Sequence, residues 1–224
     1  DYDMIRSVVA RKPDGILSFL EPAADMVNFI KDTGIPFEIF GRDGKPYGMY
    51  GVDADEVYGG HQAAQHLLEC GYKKFAYVGS WHNVKVCLDR QKGFEDGLAE
   101  GGASIEPSHI YYIREQEFGT IIDSLVQDDI DGIFCFNDII AFIIIEALEE
   151  RGKELGKDYG IVGCDNIQFM MRMPRLLTTI DVGCEAFAEA GAQLMLHLLS
   201  GNAEDLATFR STHRSFLVKG KSTR

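Results

Sequence analysis

Residues 160–166 constrain the fold of this chain more than any other stretch. They read Gly-Ile-Val-Gly-Cys-Asp-Asn, a short apolar run followed at once by a carboxylate and an amide. The run is too short for a helix and is typical of an inner strand of a parallel sheet. Because open α/β sheets bind ligands beyond the carboxyl ends of their strands, we predict that Asp165 faces a ligand. An Asx-turn at the strand end is the alternative interpretation of Asp165.

The tripeptide Asp-Gly-Ile occurs twice and indicates an internal repeat. Residues 14–16 and 131–133 each open a strand, a turn and a helix, and these helices end at Gly34 and Gly152. Strands and helices alternate through most of the chain, which is typical of α/β folds with parallel sheets. We therefore predict two Rossmann-like, doubly wound lobes with a ligand cleft between them, because clefts between lobes are preferred sites for small ligands.

The charge balance argues against direct binding of nucleic acid by this chain. With 35 acidic and 22 basic residues its formal net charge is -13, whereas neutralising phosphates needs clustered Lys and Arg. The 5 cysteines are widely spaced and mostly lie in apolar runs, as expected of reduced thiols in a cytosolic protein. The longest apolar run, residues 139–145, is too short to span a membrane, and the N-terminus carries no secretion signal. The sequence thus predicts a cytoplasmic protein without a membrane contact.

Signatures of catalysis and of cofactor binding are missing from the sequence. The glycine spacings fit neither a dinucleotide-binding turn nor a phosphate-binding loop. His61 and His66 are not four residues apart, the spacing that places two metal ligands on one helix face, and no serine nucleophile motif occurs. We predict that the chain is not an enzyme, binds no cofactor and holds no metal ion.

Polar side chains recur where predicted strands end or helices begin. Asn137 follows an apolar strand, as Asp165 does. Arg90 lies in the first turn of a predicted helix, and Asp55 begins another. Carboxylates accept paired hydroxyl hydrogens, an amide both donates and accepts, and a guanidinium donates in a fork, so the set suits a neutral polyol. Helix capping remains the alternative for Asp55, and a surface ion pair the alternative for Arg90.

Two aromatic residues complete the predicted binding site. Trp81, the only tryptophan, lies in a loop at residues 80–88 that is long enough to be functional. Phe136 ends the strand before Asn137. The alternatives are that Trp81 covers a lobe and that Phe136 packs in the core. The predicted binding residues are Asp55, Trp81, Arg90, Phe136, Asn137 and Asp165.

Several short motifs occur along the chain in a fixed order. They are DGI at 14–16, V..D...G...A..HL...G at 52–71, R..GF at 90–94, ND..A at 137–141, GCDN at 163–166 and P.L.TT at 174–179. Together they resemble the effector-binding domain of bacterial transcription regulators of the lactose-repressor/galactose-repressor family, which shares the fold of sugar-binding periplasmic proteins. Cys164 stands where that family usually has an aromatic residue.

The resemblance implies roles for residues at the matching motif positions. Arg90, Asn137 and Asp165 would line the effector cleft, and Asp55 would join them. The family's crossover pattern predicts an N-terminal lobe of residues 1–72 and 181–209, and a C-terminal lobe of residues 73–180 and 210–224. Compared with the family, the sequence lacks a helix-turn-helix domain and about 50 to 60 residues of its first βα units. DNA would be contacted only through that absent domain.

Three functions are compatible with these patterns. The leading one is the effector-sensing and dimerising domain of a transcription regulator, and the alternatives are an extracytoplasmic sugar-binding protein of a transporter and an enzyme on a doubly wound fold. A sugar is the expected effector. A nucleobase is second, because Asp165 and Asn166 also resemble the purine-responsive branch of the family.

A homodimer is predicted from the helix at residues 139–151 and the methionine-rich segment after Asp165. The helix is apolar around its whole circumference, which contact with one sheet cannot bury. A helix sandwiched inside its own lobe is the alternative. The predicted interface residues are Ile140, Ile143, Ile144, Met170, Met171 and Met173.

Overall fold

The computed structural model describes residues 2–20, 22–81, 84–114, 116–201 and 212–224. Within these residues the helices are α1 (Tyr2–Ala10), α2 (Ala24–Asp32), α3 (Glu56–Glu69), α4 (Lys85–Glu100), α5 (Phe118–Gln127), α6 (Asp138–Glu150), α7 (Ile167–Met170) and α8 (Cys184–Ser200). The strands are β1 (Ile16–Ser18), β2 (Phe37–Phe40), β3 (Tyr50–Ala54), β4 (Phe75–Gly79), β5 (Ile110–Tyr112), β6 (Gly132–Cys135), β7 (Gly160–Cys164), β8 (Thr178–Asp181), β9 (Thr212–His213) and β10 (Phe216–Val218).

The chain divides into two compact units. Unit 1 comprises Asp1–Ala54 and Gly183–His213, and unit 2 comprises Asp55–Val182 and Arg214–Arg224. The sequence instead placed the first division after Tyr72. The division falls earlier because α3 packs closely against α4 and so belongs with unit 2. The predicted division near Arg210 lies outside the described residues.

Unit 1 is built on a parallel sheet with the strand order β1-β2-β3-β9. Val52 of β3 packs against Ala190 and Leu194 of α8. The apolar core that includes α1 and α2 contains Ile5, Ile16, Met26, Ile30, Phe37 and Ile39. Glu38, in the middle of β2, is fully buried, and burial raises the pKa of its carboxyl from 4.5 to about 7.

Unit 2 is built on a six-stranded sheet with the order β10-β8-β7-β6-β4-β5. All pairs are parallel except β8 with β10, which run antiparallel. Strands β4, β6 and β7 are buried along their whole length, which is why they read as continuous apolar runs in the sequence. The predicted α/β class with parallel sheets is confirmed, with β10 as an antiparallel addition at the edge.

Helices cover both faces of the unit 2 sheet. On one face, Ile133 of β6 packs with residues of α5 and α6. On the other, Phe94 of α4 contacts the rings of Phe75 and Phe134. The chain passes from β4 through α4 to β5 on one side of β4, and from β6 through α6 to β7 on the other side. The strand order therefore reverses between the neighbouring strands β4 and β6. No described helix is long and apolar enough to cross a bilayer.

Candidate functional site

The predicted polar residues lie at the carboxyl edge of the unit 2 sheet. In open α/β folds, ligands bind at this edge where the strand order reverses, which here is between β4 and β6. Trp81 follows β4, Phe136 and Asn137 follow β6, and Asp165 follows β7. The topology of unit 2 therefore places these side chains on one edge.

Arg90 is the buried centre of this edge. It lies in the second turn of α4 and is 5% exposed. Its Nε donates to Glu56 Oε2 at 2.6 Å, and its Nη2 donates to Glu56 Oε1 at 3.1 Å. Its Nη1 donates to the carbonyl oxygen of Phe136, whose ring centroid lies 4.9 Å from the guanidinium carbon. Such bidentate pairing is what makes a buried guanidinium tolerable.

Glu56 was missed in the sequence analysis. It stands directly after Asp55 in the motif at residues 52–71, and an acidic residue in the first turn of a helix is common enough to pass unnoticed. Asp55 itself accepts a hydrogen bond from the backbone N–H of Tyr58 at 2.9 Å and caps α3. Asp55 thus acts as a helix cap, and Glu56 is the residue of this pair whose carboxylate binds Arg90.

Asp165 offers an accessible carboxylate at this edge. Its Oδ1 accepts a hydrogen bond from Arg90 Nη2 at 3.2 Å, and its side chain is 41% exposed. The backbone N–H of Asp165 donates to the carbonyl oxygen of Ile180 at 2.8 Å, which ties the residue to β8. Next to it, Asn166 Nδ2 donates to Asp181 Oδ2 at 2.7 Å. The backbone of Asp165 is therefore held in place, while its carboxylate oxygens remain accessible to a ligand.

Asn137 and Asp138 are consecutive in the sequence but have different contacts. Asn137 caps α6, because its Oδ1 accepts from the backbone N–H of Ile140 at 2.9 Å. Asp138 is fully buried and accepts from Thr179 Oγ1 at 2.5 Å and from the backbone N–H of Ile167 at 2.7 Å. Burial raises the pKa of the Asp138 carboxyl from 3.8 to about 6, against the lowering effect of these two hydrogen bonds.

The two aromatic candidates differ in exposure. Trp81 is 44% exposed, and the guanidinium carbon of Arg114 lies 5.6 Å from its ring centroid. Phe136 is half-buried between Arg90 and the core that contains α6. The structure thus joins Arg90, Phe136 and Asp165 by direct contact and places Trp81 and Asn137 at the ends of adjacent strands.

The sequence matches a known domain family over most of its length. Residues 64–223 match the family described as the periplasmic binding protein-like domain. The chain belongs to this family.

Relatives of this periplasmic binding protein-like domain are transcription regulators. It is 32% identical to the HTH-type transcriptional repressor PurR of Haemophilus influenzae (strain PittEE), over 70% of this chain and 48% of that protein. It is 33% identical to the HTH-type transcriptional regulator DegA of Bacillus subtilis (strain 168), over 72% of this chain and 50% of that protein. The chain spans about half the length of these curated relatives. The resemblance to lactose-repressor/galactose-repressor effector domains is confirmed.

A solved structure shares the fold of this periplasmic binding protein-like domain. The LacI family transcriptional regulator from Enterococcus faecium, with bound ribose, has a TM-score of 0.80 and 24% sequence identity. The alignment covers 99% of this chain and 84% of that structure.

The predicted interface residues of this periplasmic binding protein-like domain fall into two groups. Ile140 and Ile144 are buried in the unit 2 core, so their assignment to an outer surface is corrected. Their side of α6 faces the sheet, and the apolar pattern of the helix could not reveal which side that was. The remaining residues are exposed: Ile143, Met170, Met171 and Met173.

Proposed function

We propose that this periplasmic binding protein-like domain is the effector-sensing part of a cytoplasmic bacterial transcription regulator. The names of its curated relatives, PurR and DegA, support a regulator over an extracytoplasmic sugar-binding protein of a transporter and over an enzyme. The net charge of -13 supports DNA contact through a separate helix-turn-helix domain, because an acidic surface repels phosphates.

The effector site is the carboxyl edge of the unit 2 sheet, and its ligand is a small neutral polyol, with a sugar as the leading class. The observation that carries this proposal is the pairing of Arg90 with two carboxylates, Glu56 and Asp165. One guanidinium shared between two carboxylates leaves no positive charge for a phosphate, whereas the open tip of Asp165 accepts hydroxyl hydrogens. Asn137 offers its amide NH2 group, which takes no part in capping α6.

A nucleobase is the second ligand class. Trp81 presents a half-exposed indole ring after β4, and aromatic rings stack on the faces of bases. A carboxylate such as Asp165 also accepts hydrogen bonds from ring N–H groups.

Calorimetry with D-ribose and with adenine tests the site and separates the two classes. We expect the wild-type chain to bind D-ribose, and Asp165→Ala to lose about 1–3 kcal/mol of binding free energy, because ligand hydroxyls lose their acceptor. Asp123→Ala, which removes an exposed carboxylate paired with Arg151, is the control and should bind as the wild type does. A folded Asp165→Ala variant with unchanged affinity would remove Asp165 from the site. Binding of adenine alone would select the second class.

We also propose a homodimer through exposed apolar residues of α6, of α7 and of the segment that follows α7. We call them the methionine surface, and they are Ile139, Ile143, Phe169, Met170, Met171, Met173 and Leu176. Each of them is more than two-fifths exposed. Large apolar side chains exposed in this number on a soluble domain mark contact with a partner, and a second copy is the partner that dimeric regulators use.

A further inference from the structure

Two consecutive residues between β7 and α7 hold left-handed backbone conformations. The φ angle is 99° at Asp165 and 49° at Asn166. A non-glycine residue is strained in this region, so two in succession persist only where surrounding contacts hold them. The direction of the Asp165 carboxylate depends on this turn.

The backbone N–H groups of Asn166, in the turn, and of Ile167, after it, are both linked to the buried carboxylate of Asp138. The N–H of Ile167 donates to Asp138 Oδ2 at 2.7 Å. The N–H of Asn166 donates to Thr179 Oγ1 at 3.3 Å, and that hydroxyl in turn donates to Asp138 Oδ1. Asp138 therefore holds the turn once directly and once through Thr179.

Two features of the surroundings leave the Asp138 carboxylate available to hold the turn. Its own helix is capped by Asn137, so the Asp138 carboxylate is not needed for α6. A Cβ atom at Gly163 of β7 would lie 2.2 Å from Asp138 Oδ1, and no side chain could occupy that position while the carboxylate is there. Burial and the hydrogen bonds from Thr179 and Ile167 act most on the pKa of the Asp138 carboxyl, and the Asp165 carboxylate and the Arg90 guanidinium act less. Both hydrogen bonds of the Asp138 carboxylate thus lead to the turn, one through Ile167 and one through Thr179.

We infer that Asp138 is the positioning residue of the effector site. It holds the turn at Asp165 and Asn166 in its strained conformation, and through Ile167 it also fixes the start of α7. The role of Asp165 in binding rests on the proposed function, whereas the contact between Asp138 and α7 does not.

Hydrogen exchange on the ligand-free chain tests the positioning role. Asp138→Ala should speed exchange at residues 165–171 by at least about tenfold relative to the rest of unit 2, because the turn loses both of its supports. Asp138→Asn should restore protection, since its oxygen still accepts from Ile167 and its amide donates to the Thr179 hydroxyl. Thr179→Val is a second, milder variant that removes only the relayed contact and should speed exchange at Asn166.

Asp131→Ala is the matched control. Asp131 precedes β6 as Asp138 follows it, and it likewise accepts two backbone hydrogen bonds, from Lys73 at 2.9 Å and Lys74 at 2.7 Å. Its loss should speed exchange at Lys73 and Lys74 and leave residues 165–171 unchanged. Unchanged protection of 165–171 in Asp138→Ala, or a uniform loss across unit 2 that Asp138→Asn does not rescue, would overturn the inference.

Calorimetry with D-ribose extends the test to binding. Asp138→Ala should weaken ribose affinity by at least about tenfold and Asp138→Asn by less than about threefold, because only the first releases the turn. Equal affinities in wild type and Asp138→Ala would overturn the link to Asp165. If the wild-type chain bound no ribose, the proposed ligand class would fail, and the exchange measurements would still decide the role of Asp138.

Discussion

Among single residues, Arg90 is where the largest loss of stability is expected. Arg90→Lys removes the fork that joins Glu56, Phe136 and Asp165, and it leaves the partly buried Glu56 carboxylate with a poorer partner. We expect a loss of about 3–5 kcal/mol in the free energy of unfolding of unit 2. Urea denaturation followed by the fluorescence of Trp81, the only tryptophan, measures it.

Arg151→Lys provides the comparison. Arg151 donates through two nitrogen atoms to Asp123, but both side chains are exposed to solvent. Water screens this pair, so we expect a change of less than about 1 kcal/mol. Equal losses of unfolding free energy in Arg90→Lys and Arg151→Lys would show that burial does not set the strength of the contacts that Arg90 makes.

Glu38 should make the stability of unit 1 depend on pH. Its pKa is about 7 in the folded chain against 4.5 normally, and neither carboxyl oxygen has a hydrogen-bond partner within the described part of the chain. The folded chain keeps a proton that the unfolded chain releases. The stabilisation is therefore complete below pH 4.5 and is lost as the pH rises to about 7, with a slope of up to about 1.4 kcal/mol per pH unit.

Glu38→Gln removes this titration, so its free energy of unfolding should lack that decline. Circular dichroism during urea unfolding at a series of pH values measures the slope. Asp32→Asn, at the exposed end of α2, should keep the wild-type slope. A Glu38→Gln slope equal to the wild-type slope would refute the assignment.

The sequence pointed to Arg90, Asn137 and Asp165 because each follows a strand end or lies near a helix start, and their role in binding stays a prediction. It could not predict Glu56 and Asp138 as their neighbours. Those roles depend on contacts between elements: Glu56 of α3 contacts Arg90 of α4, and Asp138 of α6 contacts Thr179 of β8. Local pattern gives the position of a side chain along its element, and tertiary packing decides its partner.

At the scale of elements, glycine sets the distance between α3 and α4. A Cβ atom at Gly93 would lie 1.8 Å from the carbonyl oxygen of Val57, and one at Gly60 would lie 2.1 Å from that of Arg90. Gly93→Ala should therefore separate the helices and destabilise unit 2 by about 1–3 kcal/mol or more. Gly119→Ala in α5 should instead stabilise it by about 0.5–1 kcal/mol, because nothing lies within 4 Å of the added Cβ.

Tryptophan fluorescence during urea unfolding compares the two glycine variants. A Gly93→Ala chain as stable as the Gly119→Ala chain would contradict the close helix contact.

Most of the helices and strands could be predicted from the sequence. The strand β7 followed from a glycine-bounded apolar run, whereas the orientation of α6 did not, since a helix apolar all round has no pattern to orient it.

At the scale of the whole molecule, the methionine surface should hold two copies together. We expect Ile143→Lys and Met171→Lys to sediment as monomers at concentrations where the wild-type chain is a dimer, because each places a charge in a desolvated apolar contact. Leu196→Lys is the control, since Leu196 is an exposed apolar residue of α8 in unit 1. Sedimentation of all three variants as dimers would exclude this surface, and a monomeric wild-type chain would exclude the dimer.

The division of the chain also has a consequence for its synthesis. Unit 1 begins with the first residues but needs α8 and β9, which follow all the strands of unit 2 except β10. Unit 2 in turn needs residues beyond His213, where the hydroxyl of Ser222 donates to the Ile161 carbonyl and accepts from the Thr178 N–H. During translation both units therefore stay incomplete, with unpaired strand edges open to other nascent chains, until the last part of this sequence leaves the ribosome. A ribosome that stalls before residue 212 would release two unfinished units rather than one finished and one missing.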